Sequence, residues 1–88
     1  MPYFVYLIIS KNSDNPVSNV GYTNNLKKRI NLHNLGKGAK FTRGRKWILI
    51  YKEKYKSKKE AISREYYIKN NRTLRNKIKN ENFNFTSV

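Results

Sequence analysis

The order of hydrophobic and polar positions predicts that the chain begins with a β-hairpin. Tyr3 to Ile9 is an unbroken apolar run, dense in β-branched and aromatic residues, which favours a largely buried central strand. Residues 11–16 gather the Asn, Asp, Ser and Pro that are typical of turns. A second short strand is therefore expected over about Val17 to Tyr22.

A helix is predicted after the hairpin, because the apolar positions change from a strand pattern to a helical one. Its inward face carries residues four and three positions apart, namely Leu26, Ile30 and His33. Thr23 or Asn24 is expected to cap this helix, and Gly36 stands where it should end. The opposite face of the helix is basic.

A loop, a strand and a second helix are predicted next. Residues 36–46 hold three glycines and five cations, a glycine content too high for a regular element, so we expect a basic loop. Trp47 to Tyr55 alternates and is rich in β-formers, which predicts a third strand. A helix should then begin at Ser57, with Glu60 in capping-box spacing.

The C-terminal part of the chain is predicted to add one more short helix. Asn70 and Asn71 interrupt the preceding helix, and Thr73 is placed to cap the last one. Leu74 and Ile78 lie four residues apart and would share its apolar face. The predicted fold is of the α/β class, with the order ββαβα plus a short C-terminal helix.

Length and charge restrict the chain to one small basic domain. At 88 residues it has room for a single compact core, which we assign to residues 1–80, with residues 81–88 as a flexible C-terminal tail. Its 20 Lys and Arg against 5 Asp and Glu give a formal charge of +15, which indicates either a polyanionic partner, nucleic acid above all, or a very soluble surface. Charge by itself supports binding and carries no information about chemistry, because ribosomal proteins are equally basic.

Composition also bears on location and assembly. The chain has no cysteine, which excludes disulfides and thiolate metal sites and is compatible with a reducing cytosol, so a cytoplasmic location is expected. The Tyr3 to Ile9 run is much shorter than the roughly 20 residues of a membrane span, and we expect no membrane partner. Aromatic residues expected at the surface, Tyr66 or Tyr67 among them, would allow weak homo-oligomerisation, and the sequence leaves the oligomeric state open.

The few carboxylates can be sorted by position in a search for catalytic groups. Four of the five lie in a turn, amid strand lysines, at a helix start and near the tail: Asp14, Glu53, Glu60 and Glu81. Glu65 remains, and it shares a helix face with Ala61, Ile62 and Ile68, where a carboxylate is costly without a compensating cation. The simpler alternative is an exposed pair with Lys69, which would contribute a few tenths of a kcal/mol.

Three further side chains are candidates for chemistry on a phosphate. Arg29 and His33 are four residues apart and should both project at the boundary between sheet and solvent, where they could grip a phosphate. The simpler reading makes Arg29 a rim cation and His33 a hydrogen-bonded boundary histidine. Tyr6 is equally a candidate core ring, and it could act as a base only if nearby cations such as Arg29 lower its pKa.

The basic loop is a candidate nucleic-acid contact. Its backbone N–H groups and cations could cradle phosphates, and Phe41 could stack on a base, although a solvated loop would have the same composition. The cations concerned are Lys37, Lys40, Arg43, Arg45 and Lys46.

Taken in order, these features resemble the GIY-YIG nuclease superfamily. Val5-Tyr6-Leu7 resembles the GIY strand, and Val20-Gly21-Tyr22-Thr23 resembles the YIG strand and its exit. Arg29 and His33, the basic loop and Glu65 follow in the expected order, and the loop is most similar to that of the small single-domain bacterial members. The resemblance covers residues 3 to about 78 and implies a small three-stranded antiparallel sheet flanked by helices.

The resemblance also implies roles for single residues. Tyr6 matches the tyrosine of the first motif, Arg29 the phosphate-binding arginine, His33 a frequent active-site neighbour, and Glu65 the ligand of Mg²⁺ or Mn²⁺. The implied reaction is metal-dependent hydrolysis of nucleic acid, DNA rather than RNA, in repair or processing. Asn19 departs from the pattern, because a tyrosine should open the second motif and an amide cannot act as a base.

Two other functions stay open at the level of sequence. A non-catalytic DNA- or RNA-binding module would explain both the charge and Asn19. A ribosome-associated factor would explain the charge alone. Tyr22 is not expected to replace the missing tyrosine, because its odd spacing from Asn19 places it on the other face of the strand.

Overall fold

A three-stranded antiparallel sheet with helices on both faces forms the core of the protein. The computed structural model describes residues 1–10, 17–38 and 40–83. The strands are β1 (Tyr3–Ser10), β2 (Val17–Thr23) and β3 (Ile48–Tyr55), in the spatial order β2-β1-β3. The helices are α1 (Leu26–Asn34), α2 (Lys58–Lys69) and α3 (Arg72–Phe83). The predicted α/β fold is confirmed, while the turn predicted at residues 11–16 lies outside the described residues.

Strand β1 is buried on both faces, which explains its continuous apolar sequence. Val5 and Leu7 point to the face covered by α2 and α3, which we call the α2 face. Tyr6 and Ile8 point to the opposite face, the α1 face, where Leu26 of α1 packs against them. A strand with helices on both sides cannot alternate between apolar and polar residues without burying polar groups, so the unbroken run follows from the architecture.

The α2 face holds the larger part of the hydrophobic core. Helix α2 contributes two buried residues at helical spacing, Ala61 and Ile68, and α3 contributes Ile78 with Leu74 beside it. The prediction that Leu74 and Ile78 share an inward face is therefore confirmed. No helix in the described part of the chain is long and apolar enough to cross a membrane.

A bulge in β3 decides which of its side chains face which helix. Leu7 pairs with Tyr51 and Ile8 pairs with Leu49, so Ile50 is an extra residue between two neighbouring pairs. Strict alternation from Leu49 would carry Tyr51 onto the α1 face. The extra residue shifts the phase, so Tyr51 instead packs on the α2 face.

Two of the predicted helix caps are wrong by one or two residues. Helix α1 is capped by Asn25, whose Oδ1 accepts from the Lys28 N–H at 3.1 Å. Thr23 instead accepts the Asn25 N–H at 3.1 Å and so shapes the turn that enters the helix. The predicted end at Gly36 agrees with the structure, since Gly36 follows the C-cap with a φ of 77°, a conformation that favours glycine.

The later elements begin close to where the sequence predicts. Ser57 caps α2 and accepts the Glu60 N–H at 3.2 Å, as expected. Helix α3 is capped by Asn71 rather than Thr73, through a 3.0 Å bond from the Leu74 N–H, and its 12 residues make it as long as α2. The basic loop is not wholly irregular, because Lys40–Thr42 form one turn of 3-10 helix.

The predicted division at residue 80 stays a prediction. Helix α3 runs past it to Phe83, and residues 84–88 of the predicted tail lie outside the described residues.

Candidate active site

A chain of hydrogen bonds links Arg29, Tyr6 and His33 on the α1 face. Tyr6 projects from the middle of β1, while Arg29 and His33 lie one turn apart on α1. Arg29 Nε donates to the Tyr6 hydroxyl at 3.2 Å, and the same hydroxyl lies 2.9 Å from His33 Nε2. The sequence-predicted trio is therefore brought together by one strand and one helix.

The direction of these bonds follows from the chemistry of arginine. A guanidinium nitrogen can only donate, so the Tyr6 oxygen accepts from Arg29 and its own hydrogen points to His33 Nε2. A neutral imidazole that accepts at Nε2 carries its hydrogen on Nδ1, and Nδ1 lies 2.9 Å from Thr42 Oγ1. The network therefore holds His33 in the tautomer whose Nε2 lone pair faces Tyr6.

His33 is fully buried, which corrects the expectation of a boundary histidine. It is 0% exposed, and the basic loop folds over it. Thr42 of this loop is buried against Nδ1, and a Cβ added to Gly38 would lie only 2.4 Å from the same atom. Both ring nitrogens are occupied within the protein, so His33 does not grip a phosphate directly in this arrangement.

The loop residues around His33 are held by Trp47 and Asn34. The Trp47 Nε1–H donates to the Thr42 carbonyl at 2.9 Å, and the Trp47 backbone N–H donates to Asn34 Oδ1 at 2.6 Å. Asn34 Nδ2 returns a bond to the Trp47 carbonyl at 3.2 Å. Thr42 and Trp47 were not predicted as parts of the site, and only their nearness to the basic loop could have indicated them.

Gly21 leaves space for the Tyr6 hydroxyl on the neighbouring strand. The two residues are paired across β1 and β2, and a Cβ added at Gly21 would lie 2.3 Å from the Tyr6 hydroxyl oxygen. Such a contact is much shorter than the contacts that real Cβ atoms make. The glycine of the second motif is therefore required by the position of the first-motif tyrosine.

The pKa of Tyr6 is raised above its ordinary value and the pKa of His33 is lowered below its own. Burial raises the pKa of Tyr6, and the hydrogen bond and charge of Arg29 offset this only in part. The expectation that nearby cations lower the pKa of Tyr6 is therefore wrong in its net direction. Burial, helped by the charge of Arg29, lowers the pKa of His33, which is neutral at pH 7.

Asn19 lies on the same face as Tyr6. It pairs with Ile8, and residues directly opposite in an antiparallel pair share a face, so its amide is directed to the α1 face and is half-buried. Tyr22 pairs with Val5 and packs on the α2 face. The prediction that Tyr22 is on the opposite face from Asn19 is confirmed.

Glu65 lies half-buried on α2, and its charge adds to burial in raising the pKa of Tyr6. Its helix face is less apolar than expected, because Ile62 is 41% exposed while Ala61 and Ile68 are buried. No ion pair joins Glu65 to Lys69 in the described part of the chain. The simpler reading as an i, i+4 surface pair is therefore not supported.

A single carboxylate in this position suits Mg²⁺ better than zinc. No group of three or more His, Cys, Asp or Glu side chains that could enclose an ion occurs among the described residues. Zinc, which needs three or four protein ligands, is therefore not suited to this site. Mg²⁺ keeps several waters and needs only one or two carboxylates beside substrate phosphates, so Glu65 fits it.

The predicted cations of the basic loop are mostly at the surface. Arg45 is half-buried, and the other four are exposed, namely Lys37, Lys40, Arg43 and Lys46. The turn that contains Lys40 also places Thr42 on His33. The loop therefore begins at the site, and its charges extend from there into solvent.

Glu53, set aside from the sequence, is the centre of a second network on the α2 face. Arg64 of α2 pairs with it at 2.9 Å, and the hydroxyls of Tyr51 and Tyr55 donate to it from the same strand. Burial alone would raise the pKa of Glu53, but the bonds from Arg64 and the two tyrosines outweigh it and hold the pKa at about 2. The ion pair between Arg64 and Glu53 fixes α2 to β3 one residue before Glu65.

Comparison with known proteins agrees with the geometry. The family model described as GIY-YIG catalytic domain matches residues 2–80. A UPF0213 protein of Clostridium perfringens is 54% identical over 65 residues, covering 73% of this chain and 69% of its own length. A UPF0213 protein of Staphylococcus haemolyticus is 49% identical over 65 residues, covering 73% and 78%.

A solved structure is similar as well. The solution NMR structure of a UPF0213 protein from Bacillus halodurans superposes with a TM-score of 0.52 at 35% identity, covering 89% of this chain and 82% of that one. The family model spans nearly the whole sequence, including Tyr6, Arg29, His33 and Glu65. The chain therefore belongs to the GIY-YIG family of nuclease domains.

Proposed function

We propose that this protein is a divalent-metal-dependent endonuclease that hydrolyses phosphodiester bonds in nucleic acid, DNA in preference to RNA. The observation that carries the proposal is the hydrogen-bonded series from Arg29 through Tyr6 to His33. A purely structural tyrosine needs one partner for its hydroxyl, whereas this one lies between a cation and a neutral base. That arrangement suits proton transfer beside a bound anion.

Arg29 is the group that would hold the scissile phosphate. Its Nε is engaged with Tyr6, and neither terminal nitrogen has a hydrogen-bond partner within residues 1–10, 17–38 and 40–83. A guanidinium fixed at one nitrogen presents the others to a phosphate in a defined plane. A phosphate bound there lies next to the Tyr6 hydroxyl.

Tyr6 and His33 together would act as the base. The raised pKa of Tyr6 disfavours a free phenolate, so the hydroxyl takes a proton from the attacking water as it gives its own to His33 Nε2. The water oxygen bonds to phosphorus, the ester bond to the leaving oxygen breaks, and that oxygen takes a proton from solvent. Thr42 then keeps a hydrogen bond to the Nδ1–H of the charged imidazole.

Glu65 is the residue that would hold the metal, because it is a half-buried carboxylate at the position that the family resemblance implies for the metal ligand. When bound, Mg²⁺ or Mn²⁺ supplies positive charge to the phosphate oxygens as negative charge develops on them. The exposed loop cations would hold the strand on either side of the cut. A cytoplasmic role in DNA repair or processing remains our prediction.

Cleavage of labelled single-stranded, duplex and branched DNA with and without Mg²⁺ tests the proposal. We expect metal-dependent cutting that is lost in Tyr6→Phe and in Glu65→Gln. Glu60→Gln is the matched control, because Glu60 is an exposed carboxylate at the start of the same helix, bonded to Ser57. Wild-type cutting by Glu65→Gln would reject the metal role, and cutting by Tyr6→Phe would reject the relay.

A non-catalytic nucleic-acid-binding module is the second candidate, favoured by Asn19. Its amide lies on the Tyr6 face in the place of the second tyrosine, where it can hydrogen-bond but cannot accept a proton as a base. This candidate predicts salt-sensitive binding without turnover. Asn19→Tyr separates the two, because a large gain in cutting would mean that the natural residue suppresses catalysis.

A further inference from the structure

We infer that a nucleic-acid strand bound at Tyr6 continues across the edge of the sheet, with successive phosphates held by Lys52 and Lys54 of β3. The inference rests on the proposed nucleic-acid substrate and names a binding surface for it. We call the surface formed by these two side chains the β3 lysine pair. It is separate from the basic loop, which lies between α1 and β3.

The strand register places the β3 lysine pair beside the site. Tyr6 is paired with Gly21 on one side and with Lys52 on the other. Lys54 is paired with Phe4, two residues along the same face. Directly opposite residues have Cβ atoms about 5 Å apart, so the Lys52 side chain leaves the sheet next to Tyr6.

The geometry of an edge strand suits a polyanion. Both lysines are exposed, and β3 lies at the edge of the sheet, so their side chains are open to solvent beyond the last strand. Residues two apart on a strand are separated by about 7 Å. This spacing is of the same order as that of neighbouring phosphates along one strand of nucleic acid.

The charges of the β3 lysine pair are not neutralised within the protein. No ion pair of either lysine is found among the described residues. The strand carboxylate between them, Glu53, points to the α2 face and is bound by Arg64. Two like charges on one face repel each other, so a polyanion that lies across both relieves this repulsion as well as releasing counterions.

A second explanation for lysines on an edge strand is protection against pairing with another chain. It predicts that removal of the lysines causes self-association and leaves nucleic-acid binding unchanged. The two explanations therefore differ in a measurable way.

Binding of a fluorescein-labelled DNA 20-mer, single-stranded and duplex, is measured by anisotropy over a range of salt in EDTA, where metal-dependent cutting is absent. The test variant is Lys52→Gln/Lys54→Gln. The control is Lys59→Gln/Lys77→Gln, which removes the same charge from exposed positions on α2 and α3, across the sheet. We expect the test variant to lose affinity on the order of tenfold, with a salt slope smaller by about 2, and the control to lose much less.

Equal slopes for test variant and control would overturn the inference, as would the absence of any binding by the wild type at low salt. Acetylation of wild-type lysines with and without DNA gives a second measurement that does not depend on a variant that folds. Protection of Lys52 and Lys54 but not of Lys59 and Lys77 is expected, and equal protection would contradict the inference. Because neither measurement uses turnover, wild-type binding through these lysines without cleavage would reject the proposed function and leave this inference standing.

Discussion

Replacement of Gly21 by alanine should disable the site through a single methyl group. The added Cβ would lie 2.3 Å from the Tyr6 hydroxyl oxygen and 2.5 Å from the ring carbon that bears it. Ordinary contact begins at 3.4 Å, so the hydroxyl must move by about 1 Å. Tyr6 is 1% exposed and packed between the sheet and α1, so a shift of the ring must displace its neighbours.

The magnitude of both effects can be worked from this displacement. Overpacking a buried ring costs about 1–3 kcal/mol of unfolding free energy. A shift of about 1 Å away from His33 would lengthen the 2.9 Å bond to Nε2 beyond hydrogen-bond range, and misplacement on this scale reduces a catalytic rate by about 100-fold. We therefore expect Gly21→Ala to lose stability and to lose nearly all cleavage.

Urea unfolding and the single-turnover cleavage rate measure the two losses separately. Gly36→Ala is the matched control, because Gly36 has a φ of 77° but no atom within 4 Å of an added Cβ. It should cost about 1 kcal/mol through the backbone alone and leave the rate unchanged. Wild-type cutting and stability in Gly21→Ala would refute the reasoning, because the hydroxyl could not then lie where the structure has it.

Three further changes test the two hydrogen-bond networks. Thr42→Val should destabilise the fold by about 1–3 kcal/mol, because the Nδ1–H of buried His33 loses its acceptor, whereas Thr42→Ser should not; wild-type stability of the valine variant in urea unfolding would exclude the positioning role. The cleavage rate should rise with pH through a pKa below the ordinary 6.5 of histidine, because neutral His33 is the active form and its pKa is lowered; a limb above 6.5 would contradict this. Glu53→Gln should lower the free energy of unfolding by at most about 3 kcal/mol at pH 7, because solvent screens the pair at the partly exposed Arg64. The pKa of Glu53 is lowered from 4.5 to about 2, so the stability that Glu53 contributes is complete above pH 4.5 and is lost as pH falls through 2. The unfolding free energies of the wild type and Glu53→Gln, measured in urea, should therefore converge over that range. A constant difference would be evidence against the network.

Local sequence signals predicted the elements of this fold well. The apolar run of β1 could be recognised without its partners, because its β-branched and aromatic residues favour a strand covered on both faces. Ser57 and Gly36 mark helix ends through bonds or backbone angles that lie within a few residues. The observed caps of α1 and α3, Asn25 and Asn71, were missed because other cap-forming residues lie beside them. Only the backbone geometry selects among these residues.

The parts of the site that depend on distant partners could not be predicted in the same way. Helical spacing placed His33 on the inward face of α1, but the loop that buries it comes from residues whose composition favours solvent. Glu53 looked like a surface carboxylate amid lysines because Arg64, eleven residues later, is what binds it. The direction of the Tyr6 pKa likewise depends on burial, which composition does not report.

The bulge at Ile50 also bears on how the length of β3 can vary. Because Leu49 and Tyr51 already pair with neighbouring residues of β1, removal of Ile50 would leave every other side chain of the strand on its present face. Removal of one residue between Lys52 and Tyr55 would instead move every following side chain of the strand to the opposite face of the sheet. A carboxylate or a tyrosine would then stand beside β1 where a lysine stands now. Position 50 is therefore where a one-residue gap belongs when relatives of different length are aligned, and a gap placed elsewhere would assign the wrong charge to the face that carries Tyr6.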